Sequence, residues 1–180
     1  MPNLSIAVLG TGRMGQEILR ALARADDLQL VGVWARPGSE LYGQDMSAVA
    51  GPTATGVVAN DDLAAIVSAA DVAIDFTLPD AGQAVLDAVQ QSGTPLVCGV
   101  SGLAAAALDR MQALSADVAI LYDRNMSFGI ALLDVLVHQA GAALGLGFAA
   151  EVHETHHVHK MDAPSGTALK LGETLAAGRG

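Results

Sequence analysis

The sequence predicts an α/β protein built on a doubly wound parallel sheet. Short apolar runs, each followed by a turn, alternate with segments whose apolar residues recur at helical spacing. Strands that are separated by single helices pair in parallel. The 180 residues are 52% hydrophobic but only 3% aromatic, a composition that suits closely packed layers of helix and strand. We therefore expect helices on both faces of the sheet and a ligand site at the carboxyl ends of its strands.

The elements follow one another regularly through the first two thirds of the chain. The pattern predicts strands over residues 6–9, 28–34, 72–76, 95–98 and 118–122. Helices are predicted from residue 15 to the acidic pair at 26–27, and over 60–68, 79–92 and 104–115, with Asn60 and Pro79 as start signals. After residue 124 a long apolar helical stretch runs to residue 144. Residues 148–159 then carry β-branched side chains that favour a strand, and Ser165 starts a last helix.

A glycine-rich turn follows the first strand. Gly10, Gly12 and Gly15 fit the pattern G-x-G-x-x-G between a strand and a helix, the context in which this motif binds a dinucleotide. The acidic residue that would hold a ribose hydroxyl about 20 positions later is missing. Arg36 stands there instead, with Arg13 as a second candidate. Guanidinium groups favour the 2′-phosphate of NADP(H) over NAD(H), the alternative being a solvated surface arginine.

A second cluster of polar residues lies near the end of the chain. Four of the five histidines fall within residues 153–159 of a protein whose net charge is −10. Since His156 and Lys160 point broadly the same way in a strand or in a helical turn, both can exchange protons with one ligand. The following turn, 165–167, offers hydroxyl groups, N–H groups and the positive end of a helix dipole, which favour a carboxylate or phosphate. Residues 153–157 also match the zinc-protease pattern H-E-x-x-H, but their β-branched neighbours disfavour the helix it needs.

Several classes of protein are disfavoured. The acidic balance, with an isoelectric point near 4.6, opposes binding to nucleic acid or to an anionic membrane. Cys98 is the only cysteine, so no intrachain disulfide forms, and its apolar neighbours indicate a core position. The first residues lack a basic leader, and we expect no apolar run of membrane-spanning length. These features favour a cytoplasmic protein.

The chain resembles the family of 4-hydroxy-tetrahydrodipicolinate reductase, formerly dihydrodipicolinate reductase. The resemblance runs from Gly12-Arg-Met-Gly15 through Asp75-Phe-Thr and Asn125-Met-Ser-Phe-Gly to Glu154-Thr-His-His-Val-His-Lys-Met-Asp-Ala-Pro-Ser-Gly-Thr-Ala168. It implies a Rossmann-type sheet, an α+β substrate domain and a homotetramer. The implied reaction is hydride transfer from NAD(P)H to 4-hydroxy-tetrahydrodipicolinate with loss of water, giving tetrahydrodipicolinate for lysine biosynthesis via diaminopimelate.

The resemblance also assigns roles to individual residues. His156 would be the catalytic acid/base and Lys160 the proton donor. The small dicarboxylate substrate would be bound by His157, Ser165, Gly166 and Thr167. The cofactor, NADPH in preference to NADH because of Arg36, would be bound by Gly10, Thr11, Gly12, Arg13, Met14, Arg36, Gly99, Val100, Ser101, Asn125, Met126, Ser127 and Phe128. No metal is implied.

We therefore expect a dinucleotide-binding domain over 1–124 and the N-terminal part of a substrate-binding and oligomerisation domain over 125–180. The second domain is expected to be truncated, because the chain ends before further strands could complete its sheet. Two alternatives stay open. One is an NADP(H)-binding module without turnover, and the other is a zinc hydrolase.

Overall fold

The structure is a computed structural model that describes residues 3–156, 158 and 163–180. The chain divides into two compact units, Met1–Asp123 and Arg124–Gly180. The first unit contains a five-stranded sheet in which every pair of neighbouring strands is parallel. The predicted α/β fold is thereby confirmed.

The strands and helices of the first unit alternate along the chain. The strands are β1 (Leu4–Leu9), β2 (Leu28–Trp34), β3 (Val72–Asp75), β4 (Leu96–Cys98) and β5 (Ile120–Tyr122). The helices are α1 (Arg13–Leu22), α2 (Ser47–Ala50), α3 (Leu63–Ser68), α4 (Gly82–Ser92) and α5 (Ala105–Leu114). The strand order is β2-β1-β3-β4-β5. The direction of winding reverses between β1 and β3, and a crevice opens at such a switch point outside the carboxyl ends of the strands.

Both faces of the sheet are covered, because side chains alternate along each strand. Ile6 and Val8 of β1 point to one face and belong to a buried cluster with residues of α1 and α2. Ala7 and Leu9 point to the other face and pack with residues of α3, α4 and α5. The first unit therefore has the two apolar layers that a doubly wound sheet requires.

Local signals fix the helix ends that the sequence predicted. α3 was predicted to start at Asn60, but it is capped two residues later by Asp62, whose carboxylate accepts a hydrogen bond from Ala65 N at 3.1 Å. Gly93 ends α4 at a φ of +71°, a left-handed conformation that glycine adopts at little cost. Pro79 begins a short 3₁₀ turn that leads into α4. The short helix α2 and the 3₁₀ turn Pro52–Ala54 were not predicted.

The second unit contains two helices in its described residues, α6 (Phe128–Leu144) and α7 (Gly166–Arg179). Glycines allow the helices to approach closely. A Cβ on Gly178 would lie 2.4 Å from the His138 carbonyl oxygen, and one on Gly141 would lie 2.9 Å from that of Leu175. The strand expected over 148–159 is wrong for the part of this segment that the structure describes, which forms no strand. A strand needs a neighbour to satisfy its N–H and C=O groups, and the described part of the unit offers none.

The expectation that no apolar run reaches membrane-spanning length is also wrong. Phe128–Gly147 is 20 residues long with a mean hydropathy of 1.5, and only 6% of it is buried. By length and composition alone it could cross a membrane, whereas the other described helices fail this test. One such helix is weak support for a membrane protein, since core helices of water-soluble proteins share this composition.

Candidate functional site

A cavity of about 250 Å³ lies beside the glycine-rich turn of the first unit. Its lining comes from the loops that follow β1, β2 and β3, and includes Gly10, Thr11, Gly12, Arg36, Ser39 and Thr77. The cavity thus occupies the switch point at which a doubly wound sheet binds its ligand. Arg13 and Met14 begin α1, and both are exposed.

The three glycines of the turn differ in what a side chain at each position would meet. Gly10 has a φ of +98°, and a Cβ there would lie 2.7 Å from the Phe76 carbonyl oxygen. A Cβ on Gly15 would lie 1.9 Å from the Gly10 carbonyl oxygen, so this glycine lets α1 pack against the turn. A Cβ on Gly12 would meet nothing within 4 Å. Gly10 and Gly15 are therefore needed by the fold, whereas Gly12 leaves open space beside the N-terminus of α1.

The loop after β2 brings two polar side chains to the cavity. Ser39 N donates to the Arg36 carbonyl oxygen at 3.0 Å, and Gly38 between them has a φ of +83°, as in a type II turn with proline and glycine at its centre. The Ser39 hydroxyl is buried and has no partner among the described residues. Arg36 Nη1 lies 3.3 Å from Asp80 Oδ2, in an exposed ion pair.

The turn after β4 holds three of the predicted cofactor residues. A Cβ on Gly99 would lie 2.2 Å from the Phe76 ring, so glycine is required for the ring to lie there. Val100 is 2% exposed and belongs to the core, which leaves only its backbone to face a ligand. Ser101 is exposed.

A buried carboxylate lies at the end of β3, beside the last residue of β4. Asp75, 2% exposed, accepts a hydrogen bond from Thr77 N at 2.9 Å and lies 3.6 Å from Cys98 Sγ. Burial raises the pKa of Asp75. Burial and the neighbouring carboxylate raise the pKa of Cys98 to about 12. The thiol is therefore protonated at neutral pH and unsuited to act as a nucleophile.

Predicted cofactor and substrate residues meet within the second unit. Asn125 Nδ2 donates to Thr167 Oγ1 at 3.1 Å, and Asn125 Oδ1 accepts from Ser127 N at 3.0 Å. One amide thus links the segment before α6 to the first turn of α7. Met126, Ser127 and Phe128 are exposed, Phe128 to 94%.

Glu154 was not predicted as a functional residue, yet its carboxylate joins two residues that were. Its Oε1 accepts from Ser165 N at 2.8 Å, and its Oε2 accepts from Ser165 Oγ at 2.5 Å. The same Oε2 lies 2.7 Å from His156 Nε2. The bonds from Ser165 and His156 lower the pKa of Glu154 to about 2. Glu154 and His156 are two residues apart, a spacing that places side chains on one side of an extended segment and could have indicated the pair.

The first turn of α7 keeps part of its capacity to bind an anion. Ser165 Oγ accepts from Ala168 N at 3.0 Å and caps the helix, so its hydroxyl hydrogen is donated to Glu154 and not to a ligand. The backbone N–H groups of Gly166 and Thr167 come before the first helical hydrogen bond, from Leu169 N to the Ser165 carbonyl oxygen. They therefore remain suited to a carboxylate. His157 and Lys160 lie outside the described residues.

The zinc-protease alternative receives no support. The described part of residues 153–157 is not helical, so the pattern H-E-x-x-H does not place its side chains on one helix face. Among the described residues, no group of three His, Cys, Asp or Glu side chains could hold a metal ion.

Comparison with known protein families matches both units of the chain. The model of the dihydrodipicolinate reductase N-terminus matches residues 4–126, and that of the C-terminus matches residues 129–180. The chain belongs to the dihydrodipicolinate reductase family. Members of this family use a nicotinamide cofactor, and the family substrate is a small dicarboxylate.

Curated relatives of this reductase family carry the name 4-hydroxy-tetrahydrodipicolinate reductase. One from Alkalilimnicola ehrlichii is 44% identical over 95% of this chain, and one from Halorhodospira halophila is 40% identical over 97%. The chain spans 64% and 66% of their respective lengths. About a third of each relative therefore has no counterpart here.

Solved structures support the fold. A dipicolinate-bound dihydrodipicolinate reductase from Paenisporosarcina sp. TG-14 superposes with a TM-score of 0.69 at 24% identity, covering 98% of this chain and 67% of its own. A saccharopine dehydrogenase from Saccharomyces cerevisiae gives a TM-score of 0.60 at 18% identity, covering 78% of this chain and 32% of its own. Both structures share the arrangement of strands and helices with the part of this chain that they cover.

Proposed function

We propose that this chain carries the cofactor and catalytic segments of an NADPH-preferring 4-hydroxy-tetrahydrodipicolinate reductase. The observation that carries the proposal is the cluster of His156, Glu154 and Ser165 at the start of α7. The cluster supports the proposal because Glu154 contacts both His156, the proposed acid/base, and Ser165, in the proposed anion-binding turn. The curated relatives also bear this activity in their names. The whole reaction adds one hydride and one proton to the substrate and releases one water.

The cavity at the switch point would hold part of a nicotinamide dinucleotide. The open space at Gly12 leaves room for a pyrophosphate at the N-terminus of α1. Arg36 and the partnerless Ser39 hydroxyl lie where two donors would meet a 2′-phosphate. Gly99, Val100 and Ser101 would contact the rest of the cofactor within the first unit, and the family resemblance assigns Asn125–Phe128 of the second unit to cofactor binding as well. The bound cofactor supplies the hydride, and these residues hold and orient it.

The substrate carboxylates would be held at the start of α7. The N–H groups of Gly166 and Thr167, together with the positive end of the helix dipole, suit one carboxylate. His157 and Lys160 would add positive charge and a proton donor. His156 would exchange the proton with the substrate, because its imidazole is held beside this turn through Glu154 and Ser165.

We further propose that the enzyme acts as a cytoplasmic homotetramer without nucleic-acid or membrane partners.

A nucleotide-binding module without turnover is the second candidate. The chain spans about two thirds of its relatives' length, and the described part of its second unit contains no strand. A substrate half without a sheet would bind a dicarboxylate poorly, whereas the cavity of the first unit would still bind cofactor.

Steady-state consumption of NADPH with 4-hydroxy-tetrahydrodipicolinate separates the two candidates. The reductase predicts turnover in the purified protein, and His156→Gln should lower kcat by at least about 100-fold with unchanged NADPH affinity. Thr53→Ala, on the 3₁₀ turn Pro52–Ala54 outside the site, is the control and should match the wild type. NADPH binding without turnover in the wild type would support the module, and equal kcat in His156→Gln would refute the role of His156.

A further inference from the structure

The carboxylate of Glu154 is surrounded by donors from two segments. Ser165 donates to it through both its backbone N–H and its hydroxyl, at 2.8 and 2.5 Å. The third neighbour is His156 Nε2 at 2.7 Å. The Glu154 side chain is 25% exposed and that of His156 is 38% exposed. This contact is thus partly shielded from water, and both partners lie close to the first turn of α7.

The protonation of Glu154 decides which ring nitrogen of His156 carries hydrogen. An ionised carboxylate only accepts hydrogen bonds. Because its neighbours lower the pKa of Glu154 to about 2, it is ionised at neutral pH. The hydrogen of the contact must therefore sit on His156 Nε2, and Nδ1 of the neutral ring carries a lone pair.

We propose that Glu154 is a positioning residue that holds His156 as the Nε2–H tautomer, so that Nδ1 is the nitrogen that exchanges a proton with the substrate. The inference rests on the proposed function and adds to it which imidazole nitrogen exchanges the proton. The partner of one ring nitrogen sets the role of the other. The same carboxylate also fixes the distance between the imidazole and the anion-binding turn, since it binds Ser165 at the same time.

Replacement by glutamine makes the inference testable. In Glu154→Gln the amide oxygen can still accept from Ser165 N, which keeps the turn in place. The amide nitrogen then replaces the oxygen that faces Ser165 Oγ and His156 Nε2. Because an amide nitrogen only donates, Nε2 must become an acceptor and the ring hydrogen must move to Nδ1. The variant therefore changes the tautomer with little change in shape.

The chain contains a matched control immediately before this pair. Glu151 Oε2 lies 2.8 Å from His153 Nε2, with the same spacing of two residues. Those side chains are 77% and 84% exposed. Glu151→Gln thus makes the same chemical change at a solvated pair.

The experiment combines long-range proton–nitrogen NMR of the histidine rings with steady-state kinetics on the wild type, Glu154→Gln and Glu151→Gln. His156→Gln identifies the His156 signals. At a pH where the rings are neutral, we expect hydrogen on His156 Nε2 in the wild type and on Nδ1 in Glu154→Gln. We expect kcat to fall at least about tenfold in Glu154→Gln, with KM within about threefold, because Nδ1 then carries the hydrogen and cannot accept a proton from the substrate. In Glu151→Gln the His156 tautomer, kcat and KM should all match those of the wild type.

The inference would be overturned by an Nδ1–H tautomer in the wild type, by an unchanged tautomer in Glu154→Gln, or by a changed tautomer with unchanged kcat. A rise in KM alone in Glu154→Gln would also refute it, because that is the effect of a merely structural loss of the turn. The NMR result does not depend on turnover. A wild-type protein that shows the expected tautomer but no reductase activity would refute the proposed function and leave the tautomer assignment standing.

Discussion

Removing the Arg36 guanidinium should weaken NADPH binding and leave NADH binding unchanged. The two cofactors differ only in the 2′-phosphate, and Arg36 and Ser39 are the donors that line the cavity beyond β2. A hydrogen bond to a charged group contributes about 1.5–3 kcal/mol net. Since about 1.4 kcal/mol is a factor of ten, Arg36→Ala should raise the Kd of NADPH about 10- to 100-fold.

Removing the charge of Asp80, the ion-pair partner of Arg36, should have the opposite effect on NADPH affinity. Their charged atoms lie 3.3 Å apart, and the side chains are 51% and 67% exposed. Such an exposed pair contributes about 0–1 kcal/mol. A 2′-phosphate must share Arg36 with this carboxylate and lie near its negative charge. Asp80→Asn should therefore lower the Kd of NADPH by up to about fivefold and leave NADH unchanged.

Isothermal titration calorimetry of each variant with NADPH and NADH measures these effects. Arg20→Ala is the matched control, since Arg20 also belongs to an exposed ion pair, 2.6 Å from Glu17. It should bind both cofactors as the wild type does. An equal loss of NADPH and NADH affinity in Arg36→Ala, or tighter NADH binding in Asp80→Asn, would refute this account of the 2′-phosphate site.

Three further outcomes follow from the packing and protonation of described residues. Gly99→Ala places a Cβ 2.2 Å from the Phe76 ring, so thermal unfolding should show a loss of about 1–3 kcal/mol in the free energy of unfolding, and an unchanged Tm would contradict the packing. Cys98 is 1% exposed and its pKa is raised to about 12; iodoacetamide should therefore label it only after denaturation, and rapid labelling of the native protein would contradict its burial. The pKa of Glu154 falls from 4.5 to about 2 on folding, so its carboxylate stabilises the fold above pH 4.5 and loses this effect as the pH falls towards 2. Urea titrations should accordingly find that the stability difference between wild type and Glu154→Gln shrinks across that window, whereas a difference that stays constant would contradict the hydrogen bonds from Ser165 and His156 to this carboxylate.

The first unit could be predicted because its signals are local. Apolar runs that end in turns located the five strands, and Asn60 and Pro79 located the starts of α3 and α4 to within three residues. The helix α2 has four residues, too few for a periodic pattern to show. The sequence predicted a ligand site at the carboxyl ends of the strands, and the cavity lies there, beside the loops after β1, β2 and β3.

The second unit was less predictable because its elements depend on distant partners. β-branched residues at 148–159 favoured a strand, but a strand forms only beside another. Glu154 was missed because its contacts with Ser165 join positions 11 residues apart. Ser165 was correctly taken as a helix start, whereas its hydroxyl proved to be bonded to Glu154. Spacing along the chain could not reveal that bond.

The most direct test of the central claim is a titration of the protein with NADPH and with NADH, followed by fluorescence, with and without dipicolinate. Dipicolinate is the dicarboxylate named in the Paenisporosarcina structure. A reductase with both sites formed should bind NADPH more tightly than NADH, and dipicolinate should tighten NADPH binding further. Binding of neither nucleotide would contradict the claim, and NADPH binding that dipicolinate leaves unchanged would show that the chain lacks a working substrate site.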